Sequence, residues 1–255
     1  MRAGARIGSP HAPLVSRPAP ALRTVRTSTI QIIMRPRLTF AVLLFALSAP
    51  AAAAIDDDFC RNGIFGVQNP SVGLAVISGR GRAYFLEDMD GCPNAETRCR
   101  QNSYVIPGDT VVTGRSKGRY ACVFFPNKGG GSAGWIESTR LRRIPIRQNP
   151  AIREWVGQWS DLGNPEVRFY VSLGRLMVEG DSYWPSPNPP LSERPGGPNV
   201  GNIGEAVRVT GNRAHAPDCN ISFTLLGNLL VAADPDMECG GANVSFTGVY
   251  RRRRR

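Results

Sequence analysis

Glu179 and Asp181 stand two residues apart in a strand-like run, so their carboxylates share one face. Two acids across a cleft are the equipment of glycoside hydrolysis, one kept protonated and the other ionised. Two exposed acids on a solvated strand explain the same spacing equally well. Nucleophilic chemistry has less to work with, because it needs a nucleophile, a base and a group to orient the base. His215 is the only histidine after residue 54, and it falls in the polar stretch Asn212-Arg-Ala-His-Ala-Pro217, which reads as an exposed loop. Asp56-Asp-Asp58 lacks the alternating ligands and central glycine of a calcium loop and reads as a charged tail. The expectation is therefore no catalytic residue and no cofactor.

The six cysteines, Cys60, Cys92, Cys99, Cys122, Cys219 and Cys239, all follow residue 54. An even count in an exported chain reads as a disulfide framework, and six cysteines allow fifteen pairings. Nearest-neighbour pairing gives Cys92 with Cys99 and Cys219 with Cys239, which leaves Cys60 for Cys122. Zinc would want closely spaced Cys and His pairs, and neither a Cys-x-x-Cys knuckle nor a second nearby histidine is present. No metal site is expected, and no thiol is left over for catalysis.

The elements that must position these residues read as β throughout. Short β-branched and aromatic runs punctuated by Gly, Pro, Asn and Asp occupy residues 73–143: Leu74–Ile77, Ala83–Leu86, Ser103–Ile106, Thr110–Thr113, Tyr120–Phe125 and Gly134–Ile136. Pro107-Gly108-Asp109 is a tight turn, and Gly129 to Gly134 has too little side chain to be more than a hairpin loop. Residues 144–154 carry two prolines without periodicity and read as a linker. A second β unit spans 155–250, opening on Trp155-Val-Gly-Gln-Trp159. Val167, Phe169, Val171 and Leu173 alternate there as in a half-buried strand, and Leu176–Glu179 follows through a Gly174-Arg175 turn. Pro185 to Gly201 reads as loop. Further strands are expected at Ala206–Thr210, Asn220–Leu225, Leu229–Ala232 and Asn243–Tyr250.

The order Tyr104-Val-Ile-Pro-Gly-Asp-Thr-Val-Val112, Tyr120-Ala-Cys-Val-Phe-Phe125 and Gly134-Trp-Ile-Glu-Ser-Thr-Arg-Leu141 resembles the bacterial Src-homology-3-like domain of exported proteins. The resemblance covers about residues 73–143 and implies a small β-barrel whose aromatic groove takes extended ligands. Asp88 to Cys99 departs from it, as a cystine-closed insertion where a short loop is usual. Gly157-Gln-Trp159 and Val249-Tyr-Arg251 resemble the Gly-x-Trp start and terminal arginine of lipocalin-type barrels. The ending Cys239 to Tyr250 is similar to the C-terminal unit of uncharacterised exported bacterial proteins, which supplies architecture and no activity. The fold class expected is all-β: a small SH3-like barrel, then a second small antiparallel barrel or sandwich, behind a cleavable signal peptide.

That signal peptide is read at 34–54, where Arg35 and Arg37 precede an apolar run from Leu38 to Leu47 and a small-residue segment ending at Ala54. The run is about half the ~20 residues a membrane helix needs, so no transmembrane anchor is expected in the mature form. Residues 1–33 read as an unstructured extension, 55–72 as the mature N-terminal segment and 251–255 as a basic, solvated tail. The leader reads as bacterial and sets the location as periplasmic or secreted. Beyond residue 54 the net charge is +4, and without Arg251 to Arg255 it is −1, so the pI near 10.0 belongs to the two ends. That argues against specific nucleic-acid binding, which wants basic residues clustered on a folded face.

The aromatics are the better functional clue. Tyr84, Tyr104 and Trp135 in the first unit and Tyr183 and Trp184 in the second are the candidate ligand-binding residues. Trp155 and Trp159 could line a pocket with the latter pair, although rings of this size are also what fills a small core. The reading is an exported, disulfide-bonded, non-catalytic binding protein that contacts peptide, peptidoglycan or an envelope protein. The alternatives are an inhibitor of an envelope hydrolase and a carboxylate-dependent glycan hydrolase using Glu179 and Asp181.

Overall fold

The computed structural model describes residues 59–161, 165–184 and 198–253. The leader, the acidic run Asp56 to Asp58, most of the proline-rich loop, and Arg254 and Arg255 lie outside these residues. The all-β expectation is met: among the described residues sixteen strands make up two antiparallel sheets, joined by two one-turn α-helices and two 3-10 turns.

After helix α1 (Phe65–Gln68), the first sheet comprises β1 (Gly73–Ile77), β2 (Ala83–Leu86), β3 (Arg100–Val105), β4 (Thr110–Lys117), β5 (Tyr120–Phe125), β6 (Ser132–Glu137) and β7 (Leu141–Ile144). Its order is β3-β2-β6-β5-β4-β1-β7, so β3 and β7 are the edges. Helix α2 (Ile152–Trp155) leads into β8 (Gly157–Ser160), β9 (Glu166–Ser172), β10 (Arg175–Trp184) and β11 (Asn199–Ala206). Then follow β12 (Arg208–Thr210), β13 (Arg213–Ala216), β14 (Ile221–Leu226), β15 (Leu229–Ala233) and β16 (Gly248–Arg252). These nine strands form a nearly closed antiparallel barrel ordered β11-β10-β9-β8-β16-β15-β14-β13-β12. Three sequence expectations shift here. His215 lies on β13 rather than in a loop, Asn199 to Gly201 belong to β11, and the last strand begins at Gly248 instead of Asn243.

Three apolar clusters hold these sheets together. Ala75, Ile77, Phe85, Val105, Val111, Val123 and Ile136 fill one side of the first sheet. Trp155, Trp159, Phe169, Phe223, Phe246 and Tyr250 are among the side chains that fill the nine-stranded barrel. The third cluster draws on both sheets: Val112, Tyr120, Cys122, Phe124 and Trp135 meet Leu226, Leu229, Val231 and Val249. Strand alternation makes this possible. On β5, Tyr120, Cys122 and Phe124 enter the shared cluster while Val123 turns to the other side. On β15, Leu229 and Val231 face the shared cluster while Leu230 and Ala232 face the barrel interior. Both strands are therefore buried on two faces, which explains their unbroken apolar sequence.

The segment before β1 straps the two sheets. Phe65 joins the shared cluster, and α1 packs on β15 and β16. Asn69, 3% exposed, donates to the Phe65 carbonyl (2.7 Å) and accepts from the Arg115 N–H (2.8 Å). Cys60 is bridged to Cys122, and the other two disulfides are Cys92–Cys99 and Cys219–Cys239, so none of the six thiols is free.

Asp88 anchors the start of the strap. Its carboxylate accepts Nε and Nη2 of Arg61 at 2.8–3.1 Å and the Cys60 N–H at 2.9 Å. Burial works to raise its pKa, but the Arg61 and Cys60 hydrogen bonds outweigh it and hold the carboxyl below its ordinary 3.8. A depressed folded-state value adds stability above the unfolded pKa, and that stability is lost as pH falls through the folded value. Asp88→Asn should therefore be less stable than the parent in urea at pH 6, and the gap should narrow steadily below pH 3.8. A gap independent of pH would show that the carboxylate charge is not what holds the strap.

Candidate functional site

The outer face of β2 and β3 carries a ladder of charge and aromatic rings. Side chains alternate along a strand, so Arg82 and Tyr84 share one face, as do Arg100 and Tyr104. Tyr84 and Tyr104 are register partners, and their rings lie 5.6 Å apart at a 57° tilt. The Arg82 guanidinium sits 4.2 Å over Tyr104, and that of Arg100 sits 4.5 Å over Tyr84. The sequence Arg82–Tyr104–Tyr84–Arg100 is thus a continuous stack across two strands. Tyr104 is 40% exposed and Tyr84 is half-buried.

A groove of about 240 Å3 adjoins this stack and is lined by its Arg82, Tyr84 and Arg100, with Tyr104 outside the lining. One wall is the Cys92–Cys99 loop, which contributes Asn94, Ala95 and Glu96, and the floor includes Tyr120 and Glu137. The loop holds its shape through its disulfide and through the Asn94 side chain, which donates to the Gly91 carbonyl and accepts the Glu96 N–H. Both acids at the groove are already paired, Glu96 with Arg98 and Glu137 with Arg119 at 3.5 Å. The Tyr120 hydroxyl accepts Arg119 at 2.9–3.0 Å, and Arg140 is spent on the Ser78 and Gly81 carbonyls. Neither Arg82 nor Arg100 has a carboxylate partner among the described residues, so the groove carries two uncompensated cations beside the Tyr84 ring. Such a surface recognises an anionic group attached to something flat or extended.

No family model, no curated protein and no solved structure matches this chain.

The five sequence candidates are divided by the fold. Tyr84 lines the groove, and Tyr104 stacks against it from outside the lining. Trp135 is 0% exposed in the shared cluster and offers no surface to a ligand. Tyr183 and Trp184 lie at the end of β10 in the other sheet, Tyr183 half-buried and Trp184 45% exposed. Trp155 and Trp159 do not line a pocket with them; both are wholly buried in the barrel. Arg82 and Arg100 are not among the five sequence candidates. Their even spacing from Tyr84 and Tyr104 was the available signal.

The carboxylates considered for hydrolysis are committed elsewhere. Glu179 is ion-paired with Arg168 at 2.9 Å, and Asp181 accepts the Asn202 side-chain amide. Both lie on an open strand face beside Glu166, without the apolar enclosure that keeps a general acid protonated. Among the described residues no group of three or more His, Cys, Asp or Glu could hold a metal.

A wider cleft of about 940 Å3 lies beside β8, β9 and β16, and its arginines are also engaged. Arg252 sits 4.3 Å over Trp159 and donates to the Val156 and Glu154 carbonyls, while Arg253 pairs with Glu166 at 3.0 Å. The residue stacked on Trp159 is thus Arg252. Arg251 points the opposite way along β16 and donates to Pro126. Alternation explains both: Tyr250 and Arg252 face the barrel, Val249 and Arg251 the first sheet. The first three residues of the expected solvated tail are therefore built into the fold.

Proposed function

We propose that this chain is an exported binding protein of the bacterial envelope. It takes an extended, carboxylate-bearing peptide, such as the peptide arms of the cell wall, in the groove beside Tyr84 and Tyr104. The observation that carries this reading is the Arg82–Tyr104–Tyr84–Arg100 stack lying on an edge of the sheet. An edge strand leaves backbone donors and acceptors open to an added strand, so β3 can pair with the ligand backbone while the guanidiniums take its carboxylates. The resemblance to SH3-like domains supports the same choice of surface. Export is supported by the leader and by six bridged cysteines, which persist in oxidising compartments.

Co-sedimentation with purified peptidoglycan tests the reading. Tyr84→Ala and Arg100→Gln should each weaken retention by about 10-fold, since each removes a stacking or charge-assisted contact. Retention should also fall as salt is raised from low to 0.5 M, because exposed guanidiniums are screened. Retention unaffected by either variant overturns the assignment of this groove.

A further inference from the structure

A second cleft, of about 330 Å3, lies between residues 66–72 and the outer face of β12–β14. The strand register builds its floor in two parallel rows. Arg208 pairs across to His215 and His215 to Ser222, which forms the first row. Thr210 pairs to Arg213 and Arg213 to Thr224, which forms the second. These six side chains alternate with Val209, Ala214, Ile221 and Phe223, which pack against or within the barrel core, so all six leave the sheet on its outer side. Val67, Pro70 and Val72 supply an apolar wall opposite.

The chemistry of the floor is one-sided. Two guanidiniums, an imidazole and three hydroxyls converge there, and among the described residues no Asp or Glu lines the cleft. The Asp236 carboxylate is near in sequence but takes the Asn220 side-chain amide. Arg213 donates through Nη2 to the Pro70 carbonyl (2.8 Å) and to Ser71 Oγ (3.4 Å), which fixes the wall and keeps its charge beside the floor. Arg208 makes no hydrogen bond or ion pair among the described residues. His215 Nδ1 lies 3.4 Å from Ser222 Oγ, its cross-strand partner, which sets the ring without engaging its second nitrogen. Among the described residues no carboxylate is hydrogen-bonded to the ring, so this pair lacks the orienter that nucleophilic catalysis requires.

We propose that this cleft binds an oxyanion ester of sugar size, with the phosphate or sulfate group on Arg208, His215 and the Ser222 and Thr210 hydroxyls. The carrier ring lies against the valine and proline wall. The volume is at the lower end of ordinary small-molecule sites, about 300 Å3 and upward, and exceeds what a bare oxyanion fills. Bidentate guanidinium contacts with hydroxyl donors are the usual equipment for such groups. This site is independent of the Tyr84 groove.

Amide chemical-shift titration of the mature protein tests it, with glucose 6-phosphate, galactose 6-sulfate, inorganic phosphate and glucose as probes. Either ester should give saturable shifts centred on residues 208–224, and inorganic phosphate should bind more weakly, having no carrier for the apolar wall. Glucose should give none. Arg208→Gln, an exposed strand residue whose loss leaves the fold intact, should weaken ester binding by about 10-fold or more. His215→Asn should weaken it by a smaller factor, and Arg100→Gln in the other groove should leave it unchanged. Absence of saturable shifts with both esters, equal binding of glucose, or undiminished binding by Arg208→Gln each overturns the proposal.

Discussion

Replacing Cys60 and Cys122 together by alanine is expected to lower the unfolding free energy by about 4 kcal/mol, the largest single loss available to the disulfide framework. The bridge closes a separation of 62 residues, against 20 for Cys219–Cys239 and 7 for Cys92–Cys99. In the chain-entropy treatment those loops are worth roughly 3 and 2.5 kcal/mol, so the three losses should rank in order of loop length. Packing adds to the effect, because Cys60 and Cys122 are 2% and 0% exposed within the cluster shared by both sheets. At roughly 2–4 °C per kcal/mol for a chain of this size, Tm should fall by about 8–16 °C. Thermal unfolding followed by circular dichroism measures this. If the Cys92–Cys99 variant loses as much as the Cys60–Cys122 variant, the strap is not constraining the chain as described.

The second large effect falls at Gly66. A Cβ built on this residue would lie within the van der Waals envelope of the Ala232 carbonyl oxygen, which is backbone on β15 and cannot step aside. Gly66→Ala must therefore push α1 off the barrel and withdraw the adjacent Phe65 from the shared cluster. Overpacking of this kind costs about 3 kcal/mol, near the upper end of its usual range. Gly204→Ala is the matched control: a Cβ there meets nothing within 4 Å. Its effect should stay within about 0.5 kcal/mol. Chemical denaturation of the two variants side by side separates a steric from a general glycine effect, and equal losses would remove the argument for close docking of α1.

The sequence was most legible where one rule acted alone. Alternation at Val167 to Leu173 and the hydrophobic runs between turn residues gave the strands, and simple spacing gave the three cystines. It misled where a residue serves two surfaces. Tyr84, Tyr104 and Trp135 read alike as groove rings or as core, and for Trp135 the core reading is the one the structure bears out. Its neighbour Ile136 belongs to a different buried cluster, so both faces of β6 are closed. Leu229-Leu-Val-Ala-Ala233 carried the same message, since five apolar residues in a row do not suit a strand with one wet face. His215 was misplaced because Asn212 and Pro217 look like loop residues, yet the strand between them is pinned by pairing on both sides. For the groove, the tyrosines were visible and the arginines were not. The net charge of −1 over residues 55–250 hides them, because Arg82 and Arg100 cancel there against acids that lie elsewhere or are paired.

The wall common to the two sheets also governs how the protein can come into being. Every strand of the first sheet has been made by residue 144, but its inner surface is finished only by side chains between Leu226 and Val249. A growing or emerging chain must keep Trp135 and Phe124 uncovered for about a hundred residues more. Long-range closure of this sort slows folding and leaves greasy surface open to other molecules meanwhile. The segment from Leu226 to Val249 thus acts as the keystone of the earlier sheet.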